Sequence, residues 1–552
     1  MRLDAVVFIK RNYSRRGKSK YSSVLLVQGE RVPVSRGPGR PKSDEPRKTK
    51  VVHRTLANLS KLPDPLIALI EQFCVAERKG EPLSPGDGDV VIGPAYGTLA
   101  GLLALARELG IEKALGPSRP ARLAMFLVLA RVLHQGSRLS SVRWAETQAV
   151  APALGLERFD EDDLYEALDW LAKQQPVIER SLAPTAAPGA VFLYDVTSSY
   201  FEGQHNELAA PGYNRDGKRF KKQLVAGLLT DDAGEPISIQ LYEGNTADPT
   251  TVPDPIRKLA EDFGAQEVVF VGDRGMLKSK GKALLAERGF RYLTALTDPE
   301  IRRLLREGTL QMELFAEEVC EVEAEGVRYI LRRNPPTTER HRSRRADQLA
   351  RIEAKASKRN EYLAAHPRAA PETSRRQIEG WLVRYKLDAF ASARCEGRKV
   401  FIEIDTAKRA AVEQFDGCYV VVSNVPASQA SAQALWDRYG YLQRVERDFR
   451  SLKTGLLDLR PIFLRKANRT RAHALVSMLA LKLARELEKR VHPLGLTAQD
   501  ALDRLEGVRL VSVADPKLGM WRLPARWDRP QAEVLGVLPT LPAPMLSPRS
   551  RA

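Results

Sequence analysis

Two short apolar runs, each ending in an aspartate, constrain the fold of this chain more than any other feature. Val191–Tyr194 precedes Asp195, and Val268–Gly272 precedes Asp273. Both runs are rich in β-branched or aromatic residues and have the length of buried strands. The segments between and after them read first as a strand meander and then as strands alternating with helices. This order predicts a mixed α/β sheet.

The chain has 552 residues, which is enough for several domains. Its sequence pattern changes at five places, and we use these changes as predicted boundaries. The six segments are a basic hairpin and linker (1–59), a helical domain (60–185), a first α/β segment (186–298), an insertion (299–417), a second α/β segment containing a charged helix (418–490), and a Pro-rich C-terminal region (491–552).

The charge balance favours a polyanionic partner. The chain has 87 Lys and Arg against 69 Asp and Glu, and residues 1–54 contain 15 basic and only 4 acidic residues. Neutralisation of phosphates by such side chains supplies most non-specific affinity for nucleic acids. Within this region Arg36–Lys42 resembles an AT-hook, which would place Arg40 in an A·T minor groove. A solvated linker is the alternative for this stretch.

Cysteine usage and hydropathy indicate the compartment. The four cysteines are far apart and have no C-x-x-C spacing, so neither a zinc cluster nor a disulfide framework is predicted. The N-terminus lacks the apolar core of a signal peptide, and the apolar stretches are too short or too interrupted to span a membrane. We expect a soluble, cytoplasmic protein.

Three carboxylates are candidates for metal binding. Asp195 and Asp273 follow strands, where the ligand crevice of an open α/β sheet forms, and Glu446 lies on a strongly helical segment. Clustered carboxylates suit Mg²⁺ or Mn²⁺, and two such ions stabilise the attacking and leaving oxygens of a phosphoryl displacement. Aspartates also end strands as turn formers, and helix glutamates are usually solvated. The residues alone leave both interpretations open.

Five motifs in a fixed order resemble those of DDE transposases from bacterial insertion sequences. The most similar branch has a ribonuclease-H-like core that is split by a large β-rich insertion before its glutamate. The resemblance covers about residues 190–480. The motifs are Tyr194–Thr197 with Tyr200–Gly203, Gly212–Gly217, Gly244–Asp248, Gly272–Met276 and Arg444–Lys453.

The resemblance implies a fold, an activity and a set of partners. The fold would be a ribonuclease-H-like mixed sheet flanked by helices, and the activity cut-and-paste transposition through a hairpin intermediate. Asp195, Asp273 and Glu446 would be the catalytic metal ligands for two Mg²⁺ or Mn²⁺ ions. The partners would be double-stranded DNA, both terminal inverted repeats and target, and a second copy of the chain in a synaptic complex. The helical domain would bind DNA ends, and the protein would be nucleoid-associated.

The family also has a helical signature around its glutamate. Tyr439, Glu446 and Lys453 match it and share one helix face, because each step of seven residues drifts by only about 20°. The signature's arginine position holds Leu442, and Arg444 would supply that charge from a different face. The residues that the resemblance and the charges predict to contact DNA are Tyr439, Arg444, Lys453, Arg274 and Arg40.

Two other classes of function stay open at this point. A catalytically inactive, transposase-derived DNA-binding protein should have lost at least one carboxylate, whereas all three are present. A different ribonuclease-H-like nuclease, such as a junction resolvase, would lack the long insertion before the glutamate.

Overall fold

A computed structural model describes most of the chain. The described residues are 6–16, 19–33, 49–60, 62, 64–79, 90–203, 205–213, 220–453, 464–515, 519–524 and 527–542. They divide into two compact units. The first comprises the described parts of Met1–Gly97 and Glu506–Asp528, and the second comprises those of Thr98–Leu505 and Arg529–Pro542.

The strands and helices are numbered along the chain. The strands are β1 (Val6–Arg16), β2 (Ser19–Pro33), β3 (Thr49–Asn58), β4 (Val90–Ala95), β5 (Val191–Tyr200), β6 (Gln223–Asp231), β7 (Pro236–Glu243), β8 (Val269–Gly272), β9 (Arg291–Ala295), β10 (Cys320–Ala324), β11 (Val327–Arg333), β12 (Ala391–Glu396), β13 (Lys399–Ile404), β14 (Cys418–Ser423), β15 (Arg509–Asp515) and β16 (Gly519–Pro524). The helices are α1 (Asp64–Lys79), α2 (Gly97–Glu108), α3 (Ile111–Leu115), α4 (Arg119–Leu133), α5 (Arg138–Ala145), α6 (Val150–Leu154), α7 (Glu161–Leu182), α8 (Asp248–Thr251), α9 (Pro253–Arg257), α10 (Ser279–Glu287), α11 (Asp298–Arg306), α12 (Pro335–Ala365), α13 (Pro371–Arg384), α14 (Thr406–Glu413), α15 (Ala432–Gly440), α16 (Leu442–Lys453), α17 (Ala467–Val491), α18 (Ala498–Glu506) and α19 (Arg529–Val537).

The first unit contains two antiparallel sheets of three strands, β1-β2-β3 and β16-β15-β4. The hairpin predicted from the N-terminal sequence is present as β1 and β2, in which Val6 pairs with Gly29. The strand β3 adds to this hairpin through β2 and lies in a stretch that the sequence analysis assigned to the linker end. The AT-hook-like stretch with Arg40 lies outside the described residues.

The second unit is built on an eight-stranded sheet with the order β10-β11-β14-β9-β8-β5-β6-β7. Strands β5, β6 and β7 form an antiparallel meander, and β8 and β9 continue parallel to β5. Three antiparallel strands followed by two parallel ones make this a ribonuclease-H-like sheet, as predicted. Helices α7, α10, α16 and α17 pack against it. Residues of β5 and β8 are buried on both faces because helices cover the sheet, which explains the apolar runs Val191–Tyr194 and Val269–Val271.

The insertion is less β-rich than expected. Its strands β10 and β11 extend the main sheet beyond β14, and only the hairpin of β12 and β13 is separate. Helices hold more of its residues than strands do, and α12 alone spans 31 residues. In α12 the buried apolar positions recur at three- and four-residue steps, as in Leu349, Ile352 and Ala356. This spacing fixes a helix although charged residues dominate the segment.

None of the helices in the described ranges combines the length and the apolar character that crossing a membrane would require.

Candidate active site

Asp195 and Asp273 are neighbours across two parallel strands. Tyr194 of β5 pairs with Gly272 of β8, so the residue that follows each partner comes to the same edge of the sheet. Neighbouring strands lie about 4.8 Å apart. Asp273 stands where β8 ends, whereas β5 continues to Tyr200 because it goes on pairing with β6. The prediction that Asp195 ends its strand is therefore wrong, although it lies level with the end of β8.

Glu446 reaches the same region from the helix α16, which packs against β5. Val445, Phe449 and Leu452 are its buried apolar contacts, so the helix presents Glu446 to solvent. Glu446 and Asp273 line one cavity of about 710 Å³. Asp195 is not among the residues that line this cavity.

A pair of tyrosines holds the carboxylate of Asp273. The Tyr439 hydroxyl donates to Asp273 Oδ1 at 3.2 Å, and the Tyr419 hydroxyl donates to Tyr439 at 3.1 Å. Burial raises the pKa of Tyr439 above its ordinary value, and the nearby Tyr419 and Asp273 raise it further. Tyr439 therefore keeps its proton and remains a donor. Its bond occupies one oxygen of Asp273.

The carboxylates suit a hard divalent cation in their chemistry. Mg²⁺ is usually held by one or two carboxylates together with substrate phosphates and water. Among the described residues Glu446 has no hydrogen-bond or ion-pair partner, and it faces the cavity together with Asp273. In the same part of the chain, no group of three or more His, Cys, Asp or Glu side chains is gathered so that it could hold a metal ion. Two carboxylates on one cavity fit a cation shared with a phosphate, whereas a closed cage of three is not formed.

Arg274 is bound within the protein at the edge of the cavity. Its Nε donates to the Leu296 carbonyl at 2.6 Å, and its guanidinium pairs with Asp298. The guanidinium also lies over the ring of Tyr419, 5.5 Å from its centroid. A phosphate at this position would have to share Arg274 with these partners.

Arg444 points away from the cavity, which instead receives the buried side chain of Leu442. The guanidinium of Arg444 donates to the Asp232 carbonyl in the turn between β6 and β7, and it stacks on Tyr441 at 4.0 Å. Lys453 is the last residue of α16, and its side chain lies outside the described part of the structure.

The face of α16 that meets the β6–β7 turn is held by a buried ion pair that the sequence analysis did not find. Both oxygens of Asp448 accept from Arg485 of α17 at 3.2 Å, and Arg485 also donates to the Gly234 carbonyl. Burial raises the pKa of Asp448 to about 7, although the nearby Arg485 opposes this shift. The pair joins α16, α17 and the turn. No local sequence signal identifies such a pair, because its members are 37 residues apart.

The insertion also contributes to the cavity. Asn334, Arg340 and His341, at the start of α12, line it opposite the carboxylates, and Trp436 of α15 adds an aromatic side chain. Asn334, Arg340 and His341 lie far from the carboxylate motifs in sequence, and only the fold brings them together.

The fold and the site together define a class. A ribonuclease-H-like sheet with carboxylates at the same level of two neighbouring strands, and a third on a covering helix, is typical of enzymes that cut nucleic acid strands. A family model described as "Transposase DDE domain" matches residues 187–483, which is more than half of the chain. The chain belongs to this family and is thereby a transposase, a DNA-cleaving enzyme.

Other comparisons add little. No curated protein matches the chain. One similar solved structure is a piggyBac transposase synaptic complex with hairpin DNA, at 10% sequence identity and a TM-score of 0.36. The similarity covers 74% of this chain and 76% of that chain. A likeness this distant supports no inference about fold or function.

Proposed function

We propose that this protein is the active transposase of a bacterial insertion sequence and moves it by cut-and-paste transposition. The observation that carries the proposal is that Asp273 and Glu446 line one cavity beside Asp195, within a chain of the transposase family. All three carboxylates are retained, which argues against an inactive DNA-binding descendant. The insertion before Glu446 argues against a junction resolvase.

Asp195, Asp273 and Glu446 would hold two Mg²⁺ or Mn²⁺ ions. When bound, such ions lower the pKa of water and neutralise charge on the reacting phosphate. Tyr439 would orient Asp273 by donating to one of its oxygens, so that the other could bind a metal ion. Glu446, which is exposed and without a partner among the described residues, is free to turn toward the same phosphate.

The reaction proposed for this site has four phosphoryl-transfer steps, two with water and two with a 3′-hydroxyl as the nucleophile. Water attacks the phosphorus at the element end, the bond to the 3′-oxygen breaks, and a 3′-hydroxyl is released. That hydroxyl attacks a phosphorus of the opposite strand, which forms a hairpin on the element and releases the flanking DNA with a 3′-hydroxyl. Water then opens the hairpin and frees the element's 3′-hydroxyl again. This hydroxyl attacks a phosphorus of the target DNA and displaces the 3′-oxygen of the target strand.

The DNA contacts of the site remain predictions. Tyr439 and Arg274 line the cavity, while Arg444 contacts the β6–β7 turn, so phosphate contact by Arg444 requires it to leave the Asp232 carbonyl. Contact by Lys453 and Arg40 is proposed from sequence alone. Assembly as a homodimer on two inverted repeats, and a cytoplasmic location on the nucleoid, are part of the same proposal.

A cleavage and strand-transfer assay tests the function. Labelled DNA carrying the element's own repeats is incubated with the protein and Mg²⁺, and products are separated by size. We expect nicking at the repeat end, a hairpin-ended intermediate and joined products. Binding without cleavage would favour the DNA-binding descendant. Joined products without any hairpin would remove the hairpin step alone, and cleavage without joining would favour a nuclease.

A further inference from the structure

The helix α12 of the insertion carries a row of exposed basic side chains. Arg340, Arg344, Arg351 and Lys358 are all exposed, and their spacing of four, seven and seven residues places them within about 40° of one another around the helix. We call these four residues the α12 stripe. One acidic residue, Asp347, falls on the same side of the helix.

The cations of the stripe lack acidic partners. Among the described residues, no carboxylate lies within ion-pair distance of any of the four, and Asp347 is no exception. Arg340 contacts only the Thr337 hydroxyl, at 3.4 Å. On the adjacent helix α13, by contrast, Arg375 pairs with Glu372 and Glu379. The four cations of the stripe are therefore open to an anionic ligand.

The stripe begins at the catalytic cavity. Arg340 lines the cavity that also contains Asp273 and Glu446. From there the row extends 18 residues along the helix to Lys358, about 27 Å at 1.5 Å per residue. This length corresponds to about eight base pairs of B-DNA at 3.4 Å per step.

A buried ion pair fixes the stripe relative to the cavity. Arg345, next to Arg344, donates to both oxygens of Asp416 at 2.6 and 3.0 Å, and both side chains are buried. Asp416 lies just before β14 of the main sheet. Because the start of α12 is tied to the sheet in this way, the direction of the stripe from the cavity is set by the fold.

We propose that the α12 stripe binds the sugar–phosphate backbone of the duplex DNA whose end enters the catalytic cavity. The inference rests on the proposed function and adds the surface that holds the flanking duplex. Cations spaced along one line match a row of backbone phosphates, and phosphate contacts do not depend on the base sequence. The stripe would therefore increase the affinity for any DNA duplex and orient the duplex relative to the cavity.

The test is the salt dependence of DNA binding by the full chain. Fluorescence anisotropy gives the Kd for a labelled 30-base-pair duplex at several KCl concentrations. The stripe variant combines Arg344→Gln, Arg351→Gln and Lys358→Gln and leaves Arg340 intact because it lines the cavity. We expect the slope of log Kd against log salt to fall by about 2.7, and Kd near 0.15 M salt to rise roughly ten- to a hundredfold.

Matched variants separate the stripe from net charge. Arg288→Gln, Lys489→Gln and Arg529→Gln together remove the same three charges from exposed positions on other elements and should change Kd less than threefold. Asp347→Asn should tighten binding severalfold because it removes the one carboxylate of the row, whereas Glu353→Gln, on the opposite side of α12, should not. Thermal melting checks that each variant is folded.

Several results would overturn the proposal. A folded stripe variant with the wild-type slope and Kd would refute it, as would an equal loss in the matched variant. A loss confined to duplex RNA of the same length would reassign the surface to RNA. If the stripe variant binds DNA as the wild type does, and the wild type binds and cleaves repeat DNA, the stripe proposal is refuted and the proposed function stands. If the wild type binds no DNA, both fail.

Discussion

The two sides of α16 carry carboxylates with opposite surroundings. Glu446 is exposed on the cavity side and has no partner among the described residues, whereas Asp448 is buried and accepts two hydrogen bonds from Arg485. The two residues are separated by one position in the sequence. One side keeps its carboxylate open to a ligand, and the other uses its carboxylate to attach the helix to the rest of the fold.

This difference teaches how a helix can present a reactive group reliably. An exposed side chain such as Glu446 gains little from its own contacts, so its placement depends on the helix that carries it. That helix is held by Val445 and Phe449 against the sheet and by the Asp448–Arg485 pair against α17. The comparison predicts that variants of the open side lose activity while keeping stability, and that variants of the attached side lose stability first.

The largest expected effect is on the open side. Asp273→Asn or Glu446→Gln should reduce strand cleavage at least about a thousandfold, because a ligand of the reacting phosphate is lost. The free energy of unfolding should change by no more than about 0.5 kcal/mol, since both side chains are exposed. Binding of repeat-end DNA should survive. Cleavage within tenfold of wild type would remove the substituted residue from the catalytic site.

The next effect is on the attached side. Arg485→Met should lower the free energy of unfolding by about 3 kcal/mol, because it leaves the buried carboxylate of Asp448 without its cation. Urea unfolding measures the change. Lys489→Met, at an exposed position on the same helix, is the control and should cost less than about 0.5 kcal/mol. Equal values for the two variants would show that the pair does not hold α16.

A smaller effect is expected at the tyrosine that contacts Asp273. Tyr439→Phe removes the hydroxyl that donates to Oδ1 of Asp273. The cleavage rate measured at saturating protein should fall about tenfold, and the Kd for DNA should stay unchanged. Tyr441→Phe, two residues further along the chain, serves as the control and should cleave like the wild type. If Tyr439→Phe weakens DNA binding and leaves the cleavage rate of bound DNA intact, its role is DNA contact rather than orientation of Asp273.

The smallest effect is a difference of about 1 kcal/mol between two glycine variants, and it concerns the turn against α16. Gly234 has a φ of +84°, and a Cβ there would lie 2.9 Å from Arg444 Cβ. Gly234→Ala should cost about 2 kcal/mol, from the left-handed conformation together with the close contact. Gly308 has a similar φ of +77° and open space around it, so Gly308→Ala should cost only about 1 kcal/mol. Thermal melting compares the stability of the two variants. Equal losses of stability would mean that the Arg444 side chain moves aside at no measurable cost.

The sequence was informative where local pattern decides the outcome. Apolar runs ending in Asp195 and Asp273 predicted two strands, and the motif around Glu446 predicted a helix, so the three candidate carboxylates came from sequence with the family resemblance. The side chains that contact these carboxylates could not be predicted from the sequence. The bond from Tyr419 through Tyr439 to Asp273 joins segments more than 140 residues apart, and nothing in the local sequence of CYVVVS marks Tyr419.

The insertion shows where sequence patterns do not predict the tertiary arrangement. The resemblance implied a β-rich insertion, yet β10 and β11 join the main sheet beside β14, and most of the remaining insertion is helical, with α12 as its longest element. A strand's partner is set by tertiary pairing, so sequence pattern identifies the strand without telling which sheet it joins. The unpaired state of the α12 stripe is likewise a property of the fold.

The central claim is that Asp195, Asp273 and Glu446 belong to one metal-binding active site, and cleavage of the protein backbone by hydroxyl radicals tests it directly. Fe²⁺ replaces Mg²⁺ in the DNA-bound protein, and ascorbate with peroxide generates radicals that cut the chain beside the ion. The account predicts three cuts, next to residues 195, 273 and 446, which excess Mg²⁺ suppresses and Asp273→Asn abolishes. Cuts at only one of these positions, or elsewhere in a protein that cleaves DNA, would contradict it.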